Sequence, residues 1–252
     1  MTQIRKILKN GNFKALNLTP KFKRNDKIPK IVLNEINKYK KNTNEIPAII
    51  NGIKYNTFGY NNISSPYDNN FYISKSHDLS IDYLILNLND YKNYKKIWNE
   101  YPIEERMEIF LKAADLLENK YYNKMLAATI FNQNKTVYEA EIDAICELID
   151  FLRFNVYYCQ EILKKQPISD IDGIKNISQY KPLNGFVCSI TPFNFTAIGG
   201  NLATLPILFG NVVYWKPSEK SLLSNQLFYN LLKEAGLPDG VINFVPMKGE
   251  NF

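Results

Sequence analysis

Apolar residues recur along this chain with two different periods, and the switch between them divides it. Ile81, Leu84, Ile85, Leu88 and Ile97 keep helical spacing, so a helical block is predicted to begin near residue 81. After Pro102, the set Ile103, Met107, Phe110, Leu111, Ala114 and Leu117 falls on one helix face. Pro102 suits a first turn, and Glu104 and Glu105 favour the positive end of the helix dipole. A short helix is expected around 122–131. A long one follows over 137–163, with Val137, Ala140, Ala144, Leu148, Phe151, Leu152, Val156 and Cys159 turned inward. Its other side carries Glu139, Asp143, Glu147 and Asp150, read as a water-facing acidic stripe in preference to a substrate contact.

From Gly185 the pattern becomes short apolar runs at 185–190, 211–215 and 241–245. Helical segments at 196–208 and 221–235 alternate with them, the second closed by Gly236. Strand, helix, strand, helix, strand predicts a right-handed βαβαβ unit with a parallel sheet, half of a doubly wound nucleotide-binding fold. The fold class expected is therefore α/β, with N-terminal helices ahead of this half-domain. Both sheet edges are expected to lie open. Nearer the start, Asn51-Gly52 between short apolar runs signals a hairpin. Residues 56–78 read as loop with a strand at 71–73. Residues 1–45 read as a basic arm with one short helix. The organisation expected is an arm over 1–45, hairpin and helices over 46–184, and an incomplete nucleotide-binding domain over 185–252.

Composition narrows the class without changing this outline. The chain has 252 residues, 45% hydrophobic and 22% charged, with a mean hydropathy of −0.29. That excludes a collagen, a disordered chain and a disulfide-stapled miniprotein. No apolar run is long enough to cross a membrane, so no membrane insertion is expected. Three cysteines without a CxxC pair and a single histidine argue against a metal site. The odd cysteine count fits a reducing compartment.

Charge is uneven. Residues 1–50 carry 12 Lys/Arg against 3 Asp/Glu, whereas residues 101–150 carry 5 against 10. The acid-free start from Met1 to Asn25 reads either as a solvated leader or as a targeting segment of mitochondrial type. Its basic residues are not interleaved with aromatics and no nucleic-acid motif follows, so no nucleic-acid partner is expected.

Familiar catalytic motifs are missing: there is no GxGxxG, no phosphate-binding GxxxxGK[ST] loop and no GxSxG elbow. What remains lies at two strand ends. Asn194 follows the first strand of the half-fold, where an amide can donate to a developing oxyanion. Lys216, Ser218 and Glu219 follow the second, where an ammonium and a carboxylate can hold ribose hydroxyls. A turn of ordinary solvated polar residues is the competing reading of the same spacing.

These residues also carry a likeness. The stretch Ser189-Ile190-Thr191-Pro192-Phe193-Asn194-Phe195-Thr196-Ala197-Ile198-Gly199-Gly200-Asn201-Leu202 resembles the aldehyde dehydrogenase superfamily, as does Gly210-Asn211-Val212-Val213-Tyr214-Trp215-Lys216-Pro217-Ser218. Within it, the chain is most similar to the delta-1-pyrroline-5-carboxylate (L-glutamate γ-semialdehyde) dehydrogenase branch. Supporting segments include Lys135-Thr136-Val137, Ala140-Glu141-Ile142-Asp143, Gln166-Pro167-Ile168-Ser169 and Lys233-Glu234-Ala235-Gly236-Leu237-Pro238. The likeness runs in order from about 45 to 247 and covers about the first half of a family member.

The resemblance implies a partial aldehyde dehydrogenase fold, with residues 185–252 part of a Rossmann-like NAD-binding domain. The activity implied is NAD-dependent oxidation of glutamate γ-semialdehyde to glutamate in proline breakdown. Asn194 matches the oxyanion-stabilising asparagine. Thr191, Pro192 and Phe193 match the cofactor-lining turn, and Phe195 the neighbourhood of substrate. Lys216 and Ser218 match the adenosine-ribose contacts, with Glu219 at a commonly acidic position that disfavours a 2′-phosphate. The family's catalytic cysteine would lie beyond residue 252, and Cys146, Cys159 and Cys188 are taken as core thiols. The expectation is a chain inactive alone, complemented by a C-terminal polypeptide in the alternative reading of it as a non-catalytic subunit. Residues 166–183 would feed an oligomerisation hairpin, and the site would be mitochondrial matrix or otherwise cytoplasm. Asn132 and Asn134 replace family glycines and are expected to preserve a positive-φ turn.

Overall fold

The computed structural model describes residues 3–42, 44–56, 59–168, 172–249 and 252. Ser169 of the resemblance therefore lies outside the described residues. Helices α1 (Gln3–Lys9) and α2 (Lys30–Lys41) open the chain. Strands β1 (Asn44–Ile46), β2 (Ala48–Ile50), β3 (Ile53–Tyr55), β4 (Tyr60–Ser64) and β5 (Tyr72–His77) follow. The helical block comprises α3 (Ile81–Leu88), α4 (Tyr91–Glu100), α5 (Ile103–Leu116), α6 (Tyr122–Gln133), α7 (Val137–Glu141) and α8 (Leu148–Lys164). The last part alternates β6 (Val187–Ile190), α9 (Thr196–Leu208), β7 (Val213–Lys216), α10 (Leu222–Ala235) and β8 (Ile242–Phe244).

The βαβαβ unit is as expected: β6, β7 and β8 pair in parallel, in that order. One predicted open edge, that of β8, is covered, however. Strand β2 pairs antiparallel with β8, and β3 with β2, giving the order β3-β2-β8-β7-β6. The hairpin turn explains the docking. Asn51 and Gly52 both adopt positive φ (55° and 82°), and the Asn51 N–H donates to Asn243 Oδ1 at 2.7 Å. Strand β6 remains an edge among the described residues.

The region read as loop over 56–78 supplies two strands of a second sheet, ordered β1-β5-β4, with β5 longer than the strand expected at 71–73. Strand β4 reads Tyr-Asn-Asn-Ile-Ser and buries Ile63 alone, so no alternation marked it. Pairing with β5, not pattern, makes it a strand.

The basic N-terminus is not a solvated arm with one helix. It carries two helices, and α2 buries Val32 and Ile36. Leu8 is buried, and the acidic block holds the intervening chain by its backbone. Glu141 accepts the Lys21 and Phe22 N–H groups, and Asp150 accepts that of Leu18. Arg5 pairs with Glu105 and Glu108. The acidic middle thus seats the basic start through backbone N–H groups and the Arg5 ion pairs.

The core lies between the helices and the large sheet. Trp98, Phe110, Trp215, Phe228 and Phe244 are fully buried within it. The Trp98 indole donates to the Ile207 carbonyl at 2.7 Å, tying α4 to α9. The expected long helix over 137–163 is present but not uniform. Residues Ile142–Glu147 form a wider π-type turn between α7 and α8. That turn rephases the acidic stripe. Asp143, expected to face water, is wholly buried.

Candidate functional site

Strand β6 ends at Ile190, and the chain then crosses a short turn into α9. Two bonds pin the start of that turn to β7: the Thr191 N–H donates to the Lys216 carbonyl at 3.1 Å, and the Trp215 indole donates to Thr191 Oγ1 at 2.9 Å. Thr191 is therefore turned into the core and is a strut of the turn. At the other end Asp143 receives the Thr196 and Ala197 N–H groups at 3.0 and 2.8 Å, satisfying the first donors of α9. Lys135 pairs with Asp143 and also donates to the Asn194 carbonyl at 2.6 Å. The Lys135 ammonium lies 4.6 Å from the Phe195 ring centre. The backbone of Asn194 is thus held from below.

Asn194 lines a cavity of about 660 Å³ together with Phe193, Gln133, Lys135 and Glu219. Strand β4 and the turn after it, Asn62 to Pro66, form the opposite wall. A second cavity of about 310 Å³ is lined by Lys216, Ser218, Glu219, Lys220, Lys248 and Gly249. Glu219 and Lys220 belong to both walls, so the two chambers adjoin and form one crevice along the carboxyl ends of β6 and β7. The Lys216 side chain is 8% exposed and, among the described residues, has no hydrogen bond or ion pair. Asn194, Phe193, Lys216, Ser218 and Glu219 are brought together here. Pro192 shapes the turn without lining either cavity, and Phe195 sits beneath it against Lys135.

Both helix N-termini at the crevice are already capped. Asp143 takes that of α9, and Asn132 Oδ1 accepts the Leu223 N–H of α10 at 3.0 Å. Anion binding here falls to side chains rather than to helix ends. Asn132 does this from within α6, so its expected positive φ is corrected; Asn134, at φ 54°, does adopt it. Sequence reasoning missed Lys135 and Asp143. The signal that could have found Asp143 is a carboxylate one helix away from a strand-to-helix turn that carries no cap of its own.

None of the three cysteines lines the crevice. Burial pushes the Cys146 and Cys159 thiols up to about 12, which keeps them protonated and inert at neutral pH. Cys188, expected to be buried, is exposed because it projects from the edge strand β6, and desolvation against the sheet still raises its thiol. Among the described residues, no group of three or more His, Cys, Asp or Glu side chains could hold a metal ion.

A sequence profile of the aldehyde dehydrogenase family matches residues 62–252. The chain belongs to the aldehyde dehydrogenase family. It is 46% identical over 212 residues to a mitochondrial delta-1-pyrroline-5-carboxylate dehydrogenase of Dictyostelium discoideum, covering 84% of this chain and 38% of that protein. The corresponding mitochondrial protein of Homo sapiens is 52% identical over 158 residues, covering 63% of this chain and 28% of that one. The crystal structure of the delta-pyrroline-5-carboxylate dehydrogenase from Mycobacterium tuberculosis superposes with a TM-score of 0.87 at 39% identity. It matches 94% of this chain and 44% of its own. A second structure from that organism, bound with NAD, gives 0.83 at 38% identity, over 92% of this chain and 44% of its own. This aldehyde dehydrogenase chain thus spans less than half the length of the relatives it matches.

Proposed function

We propose that this chain forms the adenosine-ribose end and the oxyanion amide of an NAD-dependent L-glutamate γ-semialdehyde dehydrogenase. The observation that carries the reading is the shared crevice: Asn194 lines one chamber, Lys216 the adjoining one. Relatives bearing the pyrroline-5-carboxylate dehydrogenase name, one of them bound with NAD, supply the substrate and the cofactor.

The donor set fits a ribose. The Lys216 ammonium, without a protein partner among the described residues, lines one chamber with the Ser218 hydroxyl and the Glu219 carboxylate, where a diol would need donors and acceptors. Lys216, Ser218 and Glu219 would hold it, and Pro192 and Phe193 would shape the passage toward the nicotinamide end. When bound, NAD supplies the hydride acceptor. The Asn194 side-chain amide would donate to the aldehyde oxygen as that oxygen gains charge, and the Lys135 bond to the Asn194 carbonyl fixes the backbone that carries it. Phe195, fixed beneath the turn, lies close to where the substrate chain would pass. The nucleophilic sulfur is not among Cys146, Cys159 and Cys188, which stand away from the crevice, so the chain alone is expected to show no turnover.

The test is titration of the purified 252-residue chain with NAD by calorimetry, beside a rate assay on glutamate γ-semialdehyde. Lys216→Ala is expected to weaken NAD by about tenfold or more, and Asn194→Ala to leave binding unchanged. Absence of NAD binding would sink the cofactor reading, and turnover by the chain alone would sink the account of its sulfur.

One observation favours a second reading, a subunit complemented by another polypeptide. Among the described residues strand β6 is an open edge with Ile190 65% exposed, where further strands can add. Co-purification of a partner carrying an activated cysteine would support it. The mitochondrial names of the relatives favour the matrix as its location, which imaging of a fluorescent fusion would test.

A further inference from the structure

The basic start of the chain is seated on the body without using most of its basic side chains. Glu141 and Asp150 hold it by the backbone N–H groups of Leu18, Lys21 and Phe22. Helix α2 packs on α6, with Val32 and Ile36 buried and the Tyr39 ring stacked on Phe131 at 6.3 Å. The cations are left outside. Residues 23–41 carry 7 Lys/Arg against 2 Asp/Glu, a net of +5. All seven are exposed, and among the described residues Lys38 alone of them has an ion pair, with Glu35. On α2, Lys30, Asn34, Asn37 and Lys41 follow at i, i+4, i+7 and i+11 and form one outward stripe without an acid. Exposed Ile31 and Leu33 flank that stripe on either side.

Helix chemistry accounts for part of the charge. Lys38, Lys40 and Lys41 sit in the last turn, where the dipole favours cations. Lys30 opens the helix and Lys27 just precedes it, at the end where the dipole disfavours cations, and the first turn holds no acid to offset them. An anionic surface outside the chain would offset them. The rest of the segment selects the kind of surface. Single-stranded nucleic acid is gripped by aromatic rings free to stack and by Arg planes. Here Phe22 and Tyr39 are packed against the core, and Arg24 is the one arginine of the segment. A lipid surface is gripped by clustered lysines beside exposed aliphatic side chains, the arrangement that Ile31 and Leu33 make with the lysines of α2.

We propose that the outward face of α2 is a peripheral docking surface for a bilayer bearing anionic phospholipid headgroups. The lysines meet the headgroup phosphates, Asn34 and Asn37 donate to them, and Ile31 and Leu33 enter between them. The helix lies on the membrane and does not span it; among the described residues no helix is long and apolar enough to cross. This inference stands apart from the cofactor reading.

The experiment is co-sedimentation of the full chain with vesicles of phosphatidylcholine alone, and with about 30 mol% phosphatidylserine added. Binding is expected to the anionic vesicles only, and to fall by about tenfold or more between about 0.05 and 0.5 M salt. Lys27→Gln, Lys30→Gln, Lys40→Gln and Lys41→Gln together are expected to weaken it by about a hundredfold. The same exchange at Lys92, Lys96, Lys165 and Lys175, exposed lysines elsewhere in the chain, removes equal charge and is expected to cost less than about fivefold. Ile31→Ser with Leu33→Ser is expected to weaken binding several-fold at unchanged salt dependence. All these positions are exposed, and circular dichroism checks that each variant folds. Failure to bind anionic vesicles overturns the proposal, as do equal losses for the two lysine sets. Binding of a single-stranded oligonucleotide that excess anionic vesicles fail to displace, and that the α2 lysine variant loses, assigns the face to nucleic acid and overturns it too.

Discussion

Asp143 holds together the local structure beneath the candidate site. Its carboxylate is wholly buried and serves one ammonium and two backbone N–H groups. Removing it would strand Lys135 and leave the first donors of α9 unpaired. Asp143→Ala is expected to cost about 3–5 kcal/mol, read as a lower urea midpoint. Thr136 acts more locally. Its hydroxyl accepts the Glu139 N–H while Glu139 reaches back to the Thr136 N–H, closing a capping box at α7. These bonds hold the Glu139 carboxyl below its usual range. Thr136→Ala is expected to cost about 1 kcal/mol by the same measurement.

Among the elements, α9 is the one whose placement decides the site, because the Asn194 turn feeds directly into it. It packs closely on α8 and α10 through Gly200. A methyl group there would meet Leu148 Cδ1 and Phe228 Cε1, both at 2.8 Å. Gly200→Ala is expected to destabilise by about 1–3 kcal/mol through overpacking, seen as a lower melting temperature. The π-type turn Ile142–Glu147 has the complementary role on the facing helix, since it turns Asp143 toward α9. A strictly regular helix would have left that carboxylate on the solvent stripe that the spacing of Glu139, Asp143, Glu147 and Asp150 suggests.

For the molecule as a whole, ionisation and edge exposure set the conditions under which it is stable. Burial raises Cys146 and Cys159 from 9.0 to about 12 and Tyr39 from 10.0 to about 12. These are acids whose neutral form the fold prefers. Below about pH 9 both states are protonated and nothing changes. Between about pH 9 and 12 the unfolded chain releases protons that the folded chain retains, so stability falls as pH rises. The melting temperature is expected to decline across that window, and a flat profile would contradict the burial of these groups. At the edge, Ile190 on β6 is exposed, and so are Leu202 and Leu205 on α9. The isolated chain is expected to associate with rising concentration, and Ile190→Lys to reduce this in light scattering.

The periodic segments were readable from order alone. The helix at 196–208, the strands flanking it and the Asn51-Gly52 turn depend on local spacing and backbone preference, which a linear sequence records directly. Asn194 and Lys216 were readable for the same reason, because a strand end is a local feature. What tertiary structure decided is every feature that rests on residues far apart in the chain. Extension of the sheet past β8 by β2 joins Ile49 to Phe244. The seating of the basic N-terminus joins Lys21 to Glu141. Burial of Asp143 and the meeting of Lys216 with Lys248 belong to the same class. Burial and charge pairing depend on distance in space, and the order of residues carries that distance only once the chain has folded.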